Sequence, residues 1–395
     1  MRKLFVLTLV LSMLMTSCGR VEVISTGTTT PTDSEPSTIP TIADDITETE
    51  IISDSNDQTE EPDITTEITT EEITTTTLDP VFVEMAADFE FPEEFYEEFF
   101  ELLAKAEVNP ECTFTFDLPE EEFFAECGCD PMALAEGDPD STGPSDGTKV
   151  PEQRVVSIYY KDLVSGYEFF YNPYPHVPVA SVIKLPFLLY VCEKIENGEY
   201  SLEDEFEYKE EHFFEGTGII KEEEFGKMYT LEELLMLSME KSDNVAYEML
   251  KDYIDSESFM DYLIENGVEH FEDYRNYKIR LCSKTAGRYA QMLYEYLSTG
   301  TELSQKLREW LKTSEAILAT TKDKTLLHKY GWADIAFNDA AYIECDYPYV
   351  IGYATNLEGT WDDFGLLRKI SLLFEEYHDE FYTKILEEYS LTQQA

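Results

Sequence analysis

The chain has 395 residues, of which 83 are Asp or Glu and 28 are Lys or Arg, so its formal net charge is −55. A chain this acidic lacks the cations that neutralise phosphates, and we therefore expect no nucleic-acid partner. The charge is typical of a solvated extracellular surface, and the length would allow two domains.

Residues 1–17 are predicted to be a lipoprotein signal peptide. Two basic residues precede an apolar run from Leu4 to Met15, which is too short and wrongly flanked to be a stable membrane span. The small residues directly before Cys18 resemble a bacterial lipobox, in which Cys18 would be lipidated; the alternative is an ordinary signal peptide with a chance Cys. We expect a protein that is lipid-anchored on the extracellular face of the bacterial cell membrane and has no other membrane contact.

Residues 18–80 are rich in Thr, Ser, Pro and acidic residues, which predicts a disordered linker. Residues 81–150 stay acidic but contain many Phe, and one acidic helix is predicted over residues 93–106. Five prolines further along break up anything longer. We interpret residues 81–150 as a partly disordered spacer, with a partner-binding or wall-binding segment as the alternative.

Residues 151–395 are predicted to form the globular domain, beginning with a hairpin of strands at 155–160 and 167–171. Helical spacing then follows over 181–195, 231–239, 245–253, 258–266, 285–297 and 304–310. Strands return at 326–331, 340–345 and 347–354, and an amphipathic helix over 364–377 closes the domain. This order predicts an α/β (α+β) fold, in which helices flank an antiparallel sheet and an all-helical subdomain is inserted into it.

The first chemical motif is Ser181-Val182-Ile183-Lys184. A Ser hydroxyl needs a base within hydrogen-bond reach, and residues i and i+3 share one face of a helix. A helix start also offers a free backbone N–H group to an oxyanion. A second Ser-x-x-Lys, from Ser238 to Lys241, lies in mid-helix and is interpreted as ordinary helix residues.

Two further motifs follow in order, Ser242-Asp243-Asn244 and Lys329-Tyr330-Gly331. Alone, the first could be a helix N-cap and the second an exposed strand Lys. Together with Ser181 and Lys184 they supply a nucleophile, a proton shuttle and a cation for a carboxylate. The combination indicates acyl transfer through a serine ester.

Residues from about 152 to 390 resemble the penicillin-recognising serine enzymes, most closely the class A β-lactamase-type catalytic domain. The resemblance rests on the three motifs in order and on Gly216-Thr217-Gly218 before the second of them. It implies that Ser181 is the acylated nucleophile, that Lys184 accepts its proton, and that Ser242 relays a proton to the leaving nitrogen.

The same resemblance implies a substrate-binding role for four more residues. Asn244 would hydrogen-bond the amide side chain of the substrate, and Lys329 would bind its carboxylate. The backbone N–H groups of Ser181 and Trp332 would form the oxyanion hole, beside Gly331 of the third motif. That motif has Tyr330 where the family commonly has Thr or Ser, so a hydroxyl is missing or moved outward.

A class A enzyme deacylates with a Glu in a Glu-x-x-Leu-Asn loop. The nearest match here begins at Glu272 and has Arg275 in place of the Leu. Glu272 is therefore the candidate deacylating base, with a surface carboxylate as the alternative. Without such a base the acyl-enzyme would persist, as in a penicillin-binding protein.

Three functions follow, of which we favour a β-lactamase acting on β-lactams or related cell-wall amides. The alternatives are a peptidoglycan D,D-peptidase or amidase/esterase-like enzyme with slow deacylation, and a non-turnover module of the cell envelope. The spacing of the five His and seven Cys predicts no metal site, and no cofactor is expected. We expect a monomer whose partner is a small β-lactam or a peptidoglycan peptide.

Overall fold

The computed structural model describes residues 78–106, 108, 155–173, 177–254, 258–268, 280–314, 317–333, 336–357 and 361–393. The strands are β1 (Val156–Asp162), β2 (Glu168–Tyr171), β3 (Val177–Pro178), β4 (Glu205–Glu207), β5 (Met228–Thr230), β6 (Arg280–Leu281), β7 (Thr325–Ala333), β8 (Ala336–Glu344) and β9 (Tyr349–Thr355). The helices are α1 (Pro80–Ala86), α2 (Glu93–Lys105), α3 (Lys184–Glu196), α4 (Leu231–Glu240), α5 (Asn244–Tyr253), α6 (Phe259–Glu265), α7 (Ser283–Leu297), α8 (Glu302–Lys312) and α9 (Trp361–Thr392).

The main sheet has five antiparallel strands in the order β2-β1-β9-β8-β7. Helices α3 to α8 all lie in the chain between β2 and β7, so they form the insertion that the sequence predicts. The predicted α+β fold, an antiparallel sheet flanked by helices, is therefore confirmed. Strand β7 lies at one edge of the sheet, a position that matters for the site.

The hairpin of β1 and β2 is confirmed, and its turn shows why it forms. One carboxylate oxygen of Asp162 accepts hydrogen bonds from the backbone N–H groups of Val164 (3.1 Å) and Ser165 (2.5 Å). Gly166 follows with φ of +78°, a conformation that glycine adopts without steric cost. Tyr160 then pairs with Phe169 across the two strands.

Alternation along the strands divides the domain into two cores. On β8, Ala340 and Tyr342 belong to the core shared with helices α3 to α8. Phe337, Ala341 and Ile343 belong to the core on the opposite face. Because successive side chains of a strand point to opposite faces, one sheet serves both cores. Residues of the catalytic motifs that face the first core can therefore meet the inserted helices.

The predicted boundary of the globular part at residue 151 is wrong for the segment before residue 109. The predicted acidic helix is present as α2, but its Phe95 and Phe99 are fully buried in the second core. Phe95 lies 5.3 Å from Phe374 of α9 between ring centroids, and Phe99 lies 5.3 Å from Phe169 of β2. The acidic residues of α2 lie between such apolar positions, so the net charge of the segment concealed a packed face. Residues 109–150 lie outside the described residues.

The closing helix is also longer than predicted, because α9 continues to Thr392 rather than ending near residue 377. Its last part packs on the N-terminal segment. The ring centroid of Phe82 on α1 lies 6.2 Å from that of Tyr382 and 5.6 Å from that of Tyr389. The helix extends because α1 and α2 bury residues that a domain starting at 151 would expose. No helix in the described ranges is long and apolar enough to cross a bilayer.

Candidate active site

Ser181 lies on a turn of 3-10 helix, Ala180–Ile183, that leads directly into α3. The predicted helix start is therefore a single 3-10 turn, which is wound more tightly than an α-helix. Ala180 has φ of +49°, an unusual conformation for a residue with a Cβ atom. Val182 and Ile183 are buried while Ser181 is half-buried, so the turn points its hydroxyl-bearing residue out of the core.

Two neighbours hold this turn in place. Strand β3 immediately precedes it and pairs with β6, and Asn338 Nδ2 of β8 donates a hydrogen bond to the carbonyl of Pro178 at 2.8 Å. Gly331 of β7 passes so closely that a Cβ atom there would lie 2.8 Å from the backbone nitrogens of both Ser181 and Val182. Only glycine permits this approach without displacing the backbone.

The predicted oxyanion donors are consequently close in space. The backbone of Ser181 lies against β7 at Gly331, and Trp332 is the next residue of that strand. Since β7 is an edge strand of its sheet, one row of its backbone groups has no partner among the strands that the structure describes. The Trp332 side chain is 55% exposed, so this end of the strand opens toward solvent.

The second motif joins α4 to α5. Ser242 has φ of +51°, and Asp243 is the N-cap of α5, where its Oδ1 accepts from the N–H group of Ala246 at 3.0 Å. Asp243 Oδ2 also accepts from the backbone N–H groups of Ile219 (2.6 Å) and Ile220 (2.9 Å). Asp243 therefore caps the helix, while its neighbours Ser242 and Asn244 can take part in the site.

The loop containing Gly216 and Gly218 packs against this motif. A Cβ atom at Gly216 would lie 2.7 Å from Asn244 Nδ2, and one at Gly218 would overlap the Asp243 carboxylate. Both glycines have positive φ, +101° and +120°. The carbonyl of Glu215 accepts from Asn244 Nδ2 at 3.0 Å, which fixes the orientation of that amide.

Lys184 joins the first two motifs. Its Nζ donates to the carbonyl of Ser242 at 2.6 Å and to Asn244 Oδ1 at 2.7 Å, and lies 3.4 Å from Ser242 Oγ. Ser181 Oγ is not among its hydrogen-bond partners within the described part of the chain. The amine thus lies beside the hydroxyl predicted to relay a proton, one helical turn from the predicted nucleophile.

Burial gives Lys184 the electrostatics of a base. Only 2% of the residue is exposed, and this desolvation lowers its pKa well below the usual value; the charge of Lys329 lowers it further. A Lys whose pKa is depressed in this way can hold its amine in the neutral form, which is the form that accepts a proton.

Lys329 of β7 is completely buried, so its interpretation as an exposed strand Lys is wrong. Desolvation lowers its pKa to about 7, although Asp339 acts in the opposite direction. Its Nζ donates to the carbonyl of Tyr330 at 2.8 Å and lies 4.6 Å from the centroid of the Tyr330 ring. Where the family commonly has a hydroxyl, this chain therefore places an aromatic ring beside the amine.

Other predicted residues are placed as follows. Ser238 is fully buried in α4, while Lys241 is exposed and pairs with Glu240 at 2.7 Å, so the second Ser-x-x-Lys does not form a site. His328 is buried with Nδ1 2.9 Å from Asp339, as expected of a packed strand His. Glu272 and Cys18 lie outside the described residues.

One neighbour of the site was missed by the sequence analysis. The ring of Tyr247 lies on α5, one turn after Asn244, and its centroid is 5.8 Å from Lys184 Nζ. The spacing of three residues on one helix could have indicated it. Tyr247 and Asn244 therefore both contribute to the wall around the Lys184 amine.

Among the described residues, one group could resemble a metal site: Glu211, His212 and Asp252. The ammonium of Lys209 lies 3.4 Å from Glu211 and 3.7 Å from Asp252, and His212 Nε2 lies 3.0 Å from Asp252. A cation of the chain thus already neutralises these carboxylates, and we assign no metal there.

Solved structures similar to this fold include PBP-A and several β-lactamases. PBP-A, in a variant solved as an acyl-enzyme complex with penicillin G, is 17% identical and has a TM-score of 0.53; the match covers 58% of this chain and 92% of that one. A β-lactamase from Sphaerobacter thermophilus is 19% identical with a TM-score of 0.50, covering 55% and 89%. A class A β-lactamase from Bacteroides cellulosilyticus is 18% identical with a TM-score of 0.50, covering 57% and 92%. At these identities the likeness concerns the fold.

The profile of the Beta-lactamase enzyme family matches residues 149–371, and the chain belongs to that family. A comparison with curated proteins found no match. Family and fold together support a serine hydrolase of the β-lactamase and penicillin-binding-protein type. Which reaction it performs depends on the residues around Ser181.

Proposed function

We propose that this protein is a serine β-lactamase that opens the lactam through an acyl-enzyme on Ser181. The observation that carries the proposal is the position of the Lys184 amine, buried and within 3.4 Å of both the carbonyl and the hydroxyl of Ser242. This geometry places a base, one helical turn along the chain from Ser181, beside a hydroxyl that can pass a proton onward. A solvated Lys would remain charged and could not serve.

Acylation would begin with attack of Ser181 Oγ on the lactam carbonyl while Lys184 Nζ takes the hydroxyl proton. The negative charge on the carbonyl oxygen would be stabilised by the backbone N–H groups of Ser181 and Trp332. As the C–N bond breaks, Ser242 Oγ would give its proton to the lactam nitrogen and recover one from Lys184. Protons balance, and Lys184 returns to its neutral form.

Substrate recognition would use the other buried cation. A β-lactam carries a carboxylate, and the Lys329 ammonium is desolvated, so an ion pair with that carboxylate would be strong and would raise the pKa of the Lys. Asn244 already holds its side chain between Lys184 and the carbonyl of Glu215, where its amide could also meet the side-chain carbonyl of the substrate. Gly331 keeps β7 close to the backbone of Ser181, beside the strand position of Lys329.

Deacylation would require a base for water, and we propose Glu272 for this role. The Arg at position 275, where class A enzymes have Leu, favours a second candidate function. In that alternative the acyl-enzyme forms but hydrolyses slowly, as in a D,D-peptidase or another penicillin-binding protein. A module without any acylation is less well supported, since it gives no reason for a buried Lys184 beside Ser242.

The test is hydrolysis of a chromogenic cephalosporin by the protein and by two matched variants, Ser181→Ala and Ser238→Ala. We expect turnover that is lost in the first variant and kept in the second, because Ser238 is buried in α4 away from Lys241. Residues 78–108 must be kept, since they complete the second core.

Mass spectrometry after exposure to penicillin separates the remaining outcomes. A stable adduct on Ser181 without turnover would replace the β-lactamase proposal by the penicillin-binding alternative. Accumulation of the adduct in Glu272→Gln but not in the parent protein would support Glu272 as the base. Absence of both adduct and turnover would refute acylation at Ser181 altogether.

We also propose that Cys18 anchors the protein to the outer face of the cell membrane. The support is the sequence before Cys18, with its short apolar run and small residues. Labelling of cells with a fatty-acid analogue tests this directly. We expect incorporation into the protein and none into Cys18→Ala; equal labelling of the two would contradict lipidation at this residue.

A further inference from the structure

Helix α5 carries a row of charged and aromatic groups from the site to the protein surface. Tyr247 is buried, and its ring centroid lies 5.8 Å from Lys184 Nζ and 5.1 Å from Lys251 Nζ. Two amines that belong to different helices thus lie near one aromatic ring. Neither Tyr247 nor Lys251 belongs to the three motifs of the site.

Lys251 is itself paired on the same helix. Its Nζ lies 2.8 Å from Glu248 Oε1, and each of the two side chains is only 19% exposed. Ion pairs at i and i+3 on a solvated helix surface contribute little. This pair is half-buried, where solvent screens charges less, so its field can reach the neighbouring amine.

The charges around Lys184 come from three elements. Lys329 faces it from β7, Asp243 from the N-cap of α5, and Glu248 and Lys251 from the body of α5. Burial is the main cause that lowers the pKa of Lys184; Lys329 and Lys251 lower it further, whereas Asp243 and Glu248 raise it. The opposite signs of Glu248 and Lys251 mean that the intact pair largely cancels its own effect.

We propose that the Glu248–Lys251 pair, acting across Tyr247, keeps the pH range in which Lys184 can accept the proton of Ser181 where burial places it, because each charge of the pair cancels the effect of the other on Lys184. This inference rests on the proposed function of Ser181 and Lys184. Neither Glu248 nor Lys251 would touch the substrate, so both are positioning residues that act through Lys184. Retaining both charges would keep the amine neutral enough to act as a base.

The expected shift in the titration of Lys184 follows from the distance between the Lys184 and Lys251 amines. Since the two nitrogens lie 5.8 and 5.1 Å from one ring centroid, they are at most about 11 Å apart. One unpaired charge at that distance, in surroundings of intermediate polarity, shifts the titration of an amine by about one pH unit. A shift of this size is readily measured.

Removing either charge alone should move the pH profile in opposite directions. Lys251→Gln leaves the Glu248 carboxylate without the opposing Lys251 charge, which favours the Lys184 ammonium and moves the acidic limb of the acylation rate to higher pH. Glu248→Gln leaves the Lys251 ammonium and moves the limb to lower pH. The double variant should return close to the parent profile. A merely structural ion pair would give the same direction of change in both single variants.

The measurement is the second-order rate of Ser181 acylation by a fluorescent penicillin between pH 5.5 and 9, in a series of buffers of constant ionic strength. A matched control is the i, i+3 pair of Glu309 and Lys312 on α8, with a separation of 2.6 Å and more exposed side chains. Glu309→Gln and Lys312→Gln change the net charge equally and should leave the limb in place.

A second measurement follows the protonation of Lys184 and does not depend on acylation. Titration of the Lys184 side chain by NMR of protein with labelled lysine, assigned with Lys184→Arg, should show the same opposite shifts. Opposite shifts in either readout support the proposal. Shifts in one direction, or none in a protein that is acylated, would overturn it and leave the proposed function intact. If the parent protein is not acylated, the proposed function fails, and the NMR titration alone then decides whether the pair acts on Lys184.

Discussion

Replacement of Lys329 by Met should stabilise the protein while it removes carboxylate recognition. The side chain is completely buried, and its Nζ has a carbonyl of Tyr330 as its hydrogen-bond acceptor. An ammonium in such surroundings destabilises the folded state, which is why the pKa of Lys329 falls to about 7 from 10.5. Met has a similar length and no charge, so it should fill the same space.

The size of the expected gain in stability follows from the two pKa values of Lys329, its usual value and its value in the folded protein. A difference of about 3.5 corresponds to about 5 kcal/mol, because each pKa unit is worth about 1.4 kcal/mol. Relaxation of the site and loss of the bond to Tyr330 reduce the gain, so we expect about 2 to 4 kcal/mol at pH 6. Loss of a desolvated ion pair with the carboxylate should slow acylation by at least about 30-fold.

The gain in stability should depend on pH in a defined direction. Below pH 7 both folded and unfolded Lys329 are charged, and the parent protein carries the full penalty. Between pH 7 and 10.5 the unfolded chain binds the proton and the folded chain does not, so the parent gains stability with rising pH. The gap between variant and parent should therefore shrink steadily over that interval.

Urea denaturation at pH 6, 8 and 9.5 measures this gap, with Lys312→Met on α8 as a control for an exposed Lys. The control should show no gain and no trend. A Lys329→Met variant that is less stable than the parent at pH 6 would refute the reasoning about burial. A gap that does not change with pH would show that the charge of Lys329 is not its source.

Three further outcomes follow from the packing. Gly331→Ala should slow acylation by at least about 100-fold, because its Cβ atom would reach 2.8 Å from the Ser181 nitrogen and displace the backbone there; an unchanged labelling rate would contradict this. Phe95→Ala should cost about 3 to 5 kcal/mol in urea denaturation and leave the acylation rate of folded protein unchanged, as expected for a core residue far along the chain from the motifs. Lys324→Met should cost about 3 kcal/mol by the same assay, since it leaves Glu375, fully buried and 2.9 Å from the Lys amine, without its cation.

The order of elements in the catalytic domain could be predicted because each has a distinct local signal. Runs of β-branched and aromatic residues indicate β1 and β2, and Thr230 before Glu233 marks the start of α4, where the structure has a capping box. Strand order could not be predicted in this way. The pairing of β1 with β9, at opposite ends of the domain sequence, depends on long-range packing that no local pattern contains.

In the site, too, some features could be predicted from the sequence and others could not. Residue types and their order predicted that Lys184, Ser242 and Asn244 act together, and the hydrogen bonds of Lys184 join all three. The two strained backbones, Ala180 and Ser242 with positive φ, were not predicted, because neither residue type favours that conformation. Strain of this kind persists only where surrounding contacts impose it, and here those contacts come from β7 and from the Gly216 loop.

In the N-terminal segment, the composition and the spacing of apolar residues indicate different structures. Phe91, Phe95, Phe99 and Leu103 recur every four residues, which is the stripe of an amphipathic helix, and all are buried. The high density of Glu around them indicates a solvated spacer, whereas the four-residue spacing indicates a helix with one packed face. A stripe of this kind needs an apolar partner, and α9 supplies one with Ile370 and Phe374. The stripe of α2 and the apolar face of α9 thus cover each other. An apolar helix face in one part of a sequence requires an apolar partner in another part. Two such faces therefore mark the extent of a domain better than composition alone.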